Sequence, residues 1–126
     1  NLSQILNVRL PYPLVADSDR KVAELYGMIH PGEATTVTVR ALFIIDPKKT
    51  IRAIIYYPLN VGRNVEEVMR TLTALQTADG NGVACPVNWV PGEKVIVPPP
   101  KTVAEVDQRL ASDYEKLDFY LCKKDL

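Results

Sequence analysis

The chain has 126 residues, enough for one small domain with a real core, and its 47% apolar and 24% charged content is ordinary for a globular protein. Fifteen basic residues balance fifteen acidic ones, with no basic stripe that would suit nucleic acid. No apolar run approaches a membrane span and no signal peptide is visible, so a soluble, cytoplasmic protein is expected.

Asn1 is not a start methionine, and Ser3-Gln4-Ile5-Leu6 reads as the last turn of an amphipathic helix. The chain is therefore expected to be a fragment that begins inside an element. A helix end over 2–7 leads into Val8–Pro13, kept extended because a proline pushes its predecessor out of the α region. Leu14-Val15-Ala16 reads as a short buried strand. Asp17 and Ser18 should cap a helix from about Asp19 to Tyr26, with Val22, Leu25 and Tyr26 on one face and Gly27 as its stop. Met28–Ala34 is a loop, and the one histidine, His30, is either a turn residue beside Pro31-Gly32 or a proton carrier.

Thr35–Tyr57 is the stretch on which the rest depends. Two runs rich in β-branched and aromatic residues flank Asp46-Pro47-Lys48-Lys49-Thr50, which predicts a hairpin with strands near Val37–Ile45 and Ile51–Tyr57. Pro47 suits the first corner of a type I turn. Leu42–Ile45 and Ile54–Tyr57 are almost continuously apolar, as in strands buried on both faces under helices. Arg40 interrupts the first strand. It is either an outward-facing residue at the strand start or a cation aimed at an anion in a pocket.

Asn64 with Glu67 forms a capping-box-like pair that opens the best helix of the chain, with Val65, Val68, Met69, Leu72 and Leu75 as its core stripe. That helix should end near Thr77, before Asp79-Gly80-Asn81-Gly82. Gly82–Trp89 is extended and leaves the core; Lys94–Val97 is a short strand; Pro98-Pro99-Pro100 is a stiff polyproline II segment. Thr102 and Glu105 form a second capping pair for a helix ending near Glu115, marked by Val103, Val106 and Leu110. The aromatic tail Leu117–Cys122 is too small to bury its own apolar residues, which points to a partner subunit.

Cys85 and Cys122 are far apart and in no metal-type spacing, and with one histidine a zinc site lacks ligands. No zinc site is expected. A structural disulfide is not expected in a cytosolic chain.

The run VRALFIIDPKKTIRAIIYYPLNVGRNVEEVMRTLTALQ, followed by VACPVNW and VIVPPP, resembles the peroxiredoxins, most of all the one-cysteine (peroxiredoxin-6-like) subfamily and its archaeal members. The similarity runs from about Pro11 to the C-terminus. It implies the C-terminal part of a thioredoxin-like α/β fold over residues 1–88 and a C-terminal dimerisation arm over residues 89–126. It also implies a thiol-dependent peroxidase for hydrogen peroxide and alkyl hydroperoxides, with no metal or organic cofactor, restored by a thioredoxin-like or small thiol, in homodimers that often assemble into decamers.

Arg40-Ala41-Leu42-Phe43 matches the context of the family's catalytic and peroxide-binding arginine, and Gly62-Arg63 matches the pair that holds its second arginine. Neither cysteine has the context of the peroxidatic one, so this fragment alone should be inactive. Cys85 reads as a small packing residue. Cys122 is either a resolving cysteine, as in archaeal relatives with a cysteine in such a tail, or an unreactive thiol. The rival reading is a non-catalytic fragment that serves as a dimerisation or structural module.

Overall fold

The computed structural model describes residues 7, 11–34 and 36–126. Apart from Asn7, the expected helix end over 2–7 lies outside them, as do Val8–Leu10 and Thr35. Among the described residues, eight elements follow one another: α1 (Lys21–Leu25), β1 (Arg40–Ile45), β2 (Ile51–Tyr57), α2 (Val65–Asn81), β3 (Val95–Val97), α3 (Val103–Ala111), β4 (Glu115–Asp118) and β5 (Leu121–Lys124). The chain divides into two compact units, Asn1–Leu42 with Ile55–Gly62, and Phe43–Ile54 with Arg63–Leu126.

In the first unit, Asp17 does the capping expected of it, but from a distance. Its two carboxylate oxygens accept from Val22 N at 3.0 Å and Ala23 N at 2.8 Å. These are orphan donors of the first helical turn. The helix is shorter than expected because Arg20, at φ 59°, starts it late. Gly27 ends it at φ 62°, a left-handed conformation that costs glycine little. The buried residue of α1 is Ala23, not the expected Val22, Leu25 and Tyr26, which are exposed.

Leu14-Val15-Ala16 is neither a strand nor buried, with Leu14 71% and Val15 74% exposed. Apolar character alone does not make a strand; a ladder needs a neighbour to take its hydrogen bonds, and sequence does not name that neighbour.

β1 and β2 pair as the predicted hairpin, although β1 begins at Arg40 and not at Val37. The turn closes with Lys49 N donating to Asp46 O at 2.9 Å, while Asp46 N donates to Thr50 O at 3.0 Å. Lys49 lies at φ 66°. A type I turn followed by a left-handed residue is a favoured three-residue hairpin connection. The strands are not buried on both faces: Ile45, Ile51, Ile54 and Tyr56 are all exposed, and no residue of either strand is fully buried. Among the described residues the sheet has two strands, so an apolar run that suits a multi-stranded interior is half-covered by them.

In the second unit, α2 opens as expected, Asn64 Oδ1 accepting from Glu67 N at 3.2 Å. It runs four residues past Thr77. Gly80 is tolerated inside the helix, and Gly82 at φ 61° supplies the stop. Arg52 of the hairpin tip grips the added turn by two bonds to Asp79, at 2.5 and 2.9 Å. The α2 stripe does not form a buried core: Val65 and Met69 are exposed, and Val68, Leu72 and Leu75 are half-covered.

The buried residues of this unit lie elsewhere. Trp89, Val95 and Cys122 are each at most 2% exposed. Val95 and Cys122 belong to a three-stranded sheet in the order β3-β5-β4, antiparallel throughout, with Val97 opposite Cys122 and Lys116 opposite Cys122 on the other side. Gly82–Trp89 does not simply leave the core, since Ala84 bridges Ile96 by two bonds, 2.9 and 2.7 Å. Helix α3 ends at Ala111, four residues before Glu115. The expected helix end near Glu115 is replaced by a hairpin over residues 115–124.

Candidate functional site

Arg40 is the first residue of β1 and lies at the surface. Its Nε donates to the Leu59 carbonyl at 2.8 Å. This bond orients the guanidinium plane and leaves Nη1 and Nη2 as the donors it does not use. Leu59 belongs to the turn after β2, where Val61 N donates to Pro58 O at 3.1 Å. Its own N–H donates to Glu33 Oε2 at 3.4 Å. Leu59 thus turns its carbonyl towards a cation and its amide towards a carboxylate.

The surroundings are equally defined. Tyr56, on β2, donates its hydroxyl to Tyr26 O at 3.3 Å, and its ring lies 5.1 Å from that of His30. His30 Nε2 is 3.2 Å from Gly27 O. His30 is therefore a half-buried turn residue between aromatic and backbone partners. Glu33 and Tyr56 are site neighbours that sequence reasoning missed; Glu33 carries only the signal of an acidic residue in a Pro-Gly turn.

Arg63 and Cys122 belong to the second unit, Arg63 before α2 and Cys122 in β5. Arg63 is exposed, immediately before the Asn64 cap of α2. Cys122 is 0% exposed in the middle strand of its sheet, its thiol 3.4 Å from Asp118 O. Cys85 is half-buried, with its thiol 3.5 Å from Ala74 O. Burial pushes the Cys85 thiol up, and the nearby Arg70 charge only partly opposes this. Such a thiol is a poor nucleophile at neutral pH.

Arg70 has work of its own. It makes a forked pair with Glu67, at 2.6 and 2.8 Å, and donates to Trp89 O at 3.1 Å. The Arg70 bonds, with Thr71 adding a third, hold the Glu67 carboxyl down at about 2. Among the described residues, no group of three or more His, Cys, Asp or Glu could hold a metal ion, and no helix is long and apolar enough to cross a membrane.

A cation held by backbone, with both Nη groups to spare, can bind an anionic sulfur or oxygen. Comparison with known proteins identifies what the chain as a whole resembles. The family described as the C-terminal domain of 1-Cys peroxiredoxin matches residues 74–112, and the AhpC/TSA family matches residues 2–54. A curated peroxiredoxin of Aquifex aeolicus is 50% identical over 98% of this chain and 60% of its own length. The chain belongs to the peroxiredoxin family.

Among solved structures, a yeast mitochondrial 1-Cys peroxiredoxin aligns with TM-score 0.82 and 36% identity, covering 99% of this chain and 62% of that one. A cysteine-to-serine mutant of the peroxiredoxin 6 of Arenicola marina aligns with TM-score 0.78 and 32% identity, covering 98% and 61%. The fold is therefore the thioredoxin-like peroxiredoxin fold, as the sequence led us to expect, and the chain spans about 60% of the length of the curated relative it matches.

Proposed function

We propose that the protein carrying this chain is a thiol-dependent peroxidase for hydrogen peroxide and alkyl hydroperoxides, with Arg40 as its catalytic and peroxide-binding arginine. The observation that carries this reading is the Arg40 guanidinium, which lies within the stretch that matches the family and is oriented by Leu59 O. A cysteine thiolate attacks one peroxide oxygen and the O–O bond breaks. The sulfur becomes a sulfenic acid, and the departing alkoxide or hydroxide takes a proton. The Nη1 and Nη2 amino groups and a permanent positive charge favour the thiolate and hold the oxygens as negative charge moves onto the leaving group.

The attacking thiolate comes from outside these 126 residues. Cys85 has a raised pKa, and Cys122 lacks the motif and is buried. Arg63, in the Gly62-Arg63 pair, is taken as the second arginine of the family pattern. A thiol then condenses with the sulfenic acid, releasing water and forming a disulfide that a second thiol reduces. The yeast relative resolves its thiol via glutathione and thioredoxin systems, and a thioredoxin-like or small thiol fits here. Residues 89–126 form the arm of a homodimer, which assembles further into a decamer, in the cytoplasm.

Of the two roles open to Cys122, complete burial favours a packing thiol; a resolving role requires β5 to open. In the complete protein, C122S leaves a reducible inter-subunit dimer band unchanged if Cys122 only packs, and abolishes it if Cys122 resolves. The function itself is tested by peroxide consumption coupled to a thiol. Turnover that needs the thiol and is lost on alkylation supports the peroxidase. A folded complete protein that consumes no peroxide would favour a dimerisation or structural module instead.

A further inference from the structure

We infer that Glu33 is a positioning residue for Arg40, acting through the backbone of Leu59. The inference rests on the proposed role of Arg40. An arginine side chain has many rotamers and is held only as firmly as its acceptor. The acceptor here is a carbonyl in a surface turn, a kind of segment that is mobile unless tied down. Glu33 ties it: its Oε2 accepts from Leu59 N at 3.4 Å, in the same residue whose carbonyl receives Arg40 Nε at 2.8 Å.

The Glu33 turn is itself anchored. Glu33 N and Ala34 N both donate to His30 O at 2.9 Å, and the His30 ring packs against Tyr56 at the end of β2. Tyr56 lies two residues before Pro58, which begins the Leu59 turn. The chain of contacts thus runs from a strand, through a histidine and a carboxylate, to the turn that aims the arginine. The carboxylate meets the Leu59 amide and not the guanidinium, so it does not spend the donors that a peroxide needs. Its charge also polarises the Leu59 residue and steadies it as an acceptor.

The test uses the complete protein and the second-order rate of hydrogen peroxide reduction, with E33A, E33Q, R40K and E33A/R40K. Losing a charge-assisted contact to the turn should lower the rate about 3- to 10-fold in E33A. Gln keeps an acceptor oxygen, so E33Q should return to within about twofold of wild type. If Glu33 acts through Arg40, E33A should change the rate less than about twofold once Arg40 is Lys. An unchanged rate in E33A overturns the inference, as does an E33Q rate as low as that of E33A, or the same fold loss with and without Arg40. If R40K itself reduces peroxide at the wild-type rate, the role of Arg40 fails first, and the role of Glu33 falls with it.

Discussion

Replacing Arg109 should cost this protein more stability than any surface change. Arg109 is 6% exposed, the one buried charged residue among those described. From α3 its guanidinium donates to the carbonyl of Pro98, at the start of the triple-proline segment, and to Tyr120 O at 3.5 Å, in the turn between β4 and β5. It therefore fastens three separate pieces of chain together. Arg109→Met keeps the stem and removes both donors, leaving two carbonyls short of partners. A hydrogen bond from a charged donor contributes about 1.5–3 kcal/mol. The longer of the two counts at the low end, and relief of the guanidinium's desolvation offsets part of the loss. The net cost should be about 3 kcal/mol, which in a chain of this size lowers Tm by about 10 °C. Arg109→Lys should fall between, because one ammonium does not span both carbonyls. Urea unfolding followed by Trp89 fluorescence reads the change at a constant m value. A loss below about 1 kcal/mol in Arg109→Met would refute the reasoning.

Other expectations concern local chemistry. Lys49 holds φ 66° at the hairpin tip, so K49G should raise stability by about 0.5–1 kcal/mol; an unchanged or lower urea midpoint would count against it. Gly82 caps α2 at φ 61°, and G82A should cost about 1 kcal/mol and loosen amide protection over the last turn of α2; a variant as stable and as protected as wild type would contradict this. Glu67 has its carboxyl lowered from 4.5 to about 2 by Arg70 and Thr71. A depressed folded value stabilises above the unfolded pKa, so this contribution should fade as pH falls from about 4.5 to 2. E67Q should flatten that part of a plot of urea midpoint against pH, and an identical slope in wild type and variant would contradict the assignment.

Local signals are legible in this sequence. The strand Ile51–Tyr57, the caps Asn64 and Thr102, and the stop at Gly27 all depend on residues within one turn of the chain, and all are present. Signals that depend on a distant partner are not. The tail after Ala111 has the composition of an aromatic arm, yet Glu115–Asp118 and Leu121–Lys124 pair with each other, and Leu121–Lys124 also pairs with Val95–Val97 across more than twenty residues of sequence. Leu14–Ala16 has strand composition without a strand's neighbour. Helix α2 outruns its expected end because the Arg52–Asp79 pair, 27 residues apart, holds its last turn. Arg109 gives no sign of burial, since its acceptors are carbonyls, which every residue possesses. At the site, Arg40 stands out as a charge within an apolar strand, whereas Glu33 becomes visible only through the Leu59 amide it grips.

The most direct measurement is the single-turnover rate of sulfenic acid formation in the complete protein, wild type against Arg40→Met, at equal thiolate content. Loss of a preorganised cation and its donors should slow the step by about 100-fold or more. A rate within about twofold of wild type would contradict the assignment of Arg40, and with it the account of how this peroxiredoxin chain contributes to peroxide reduction.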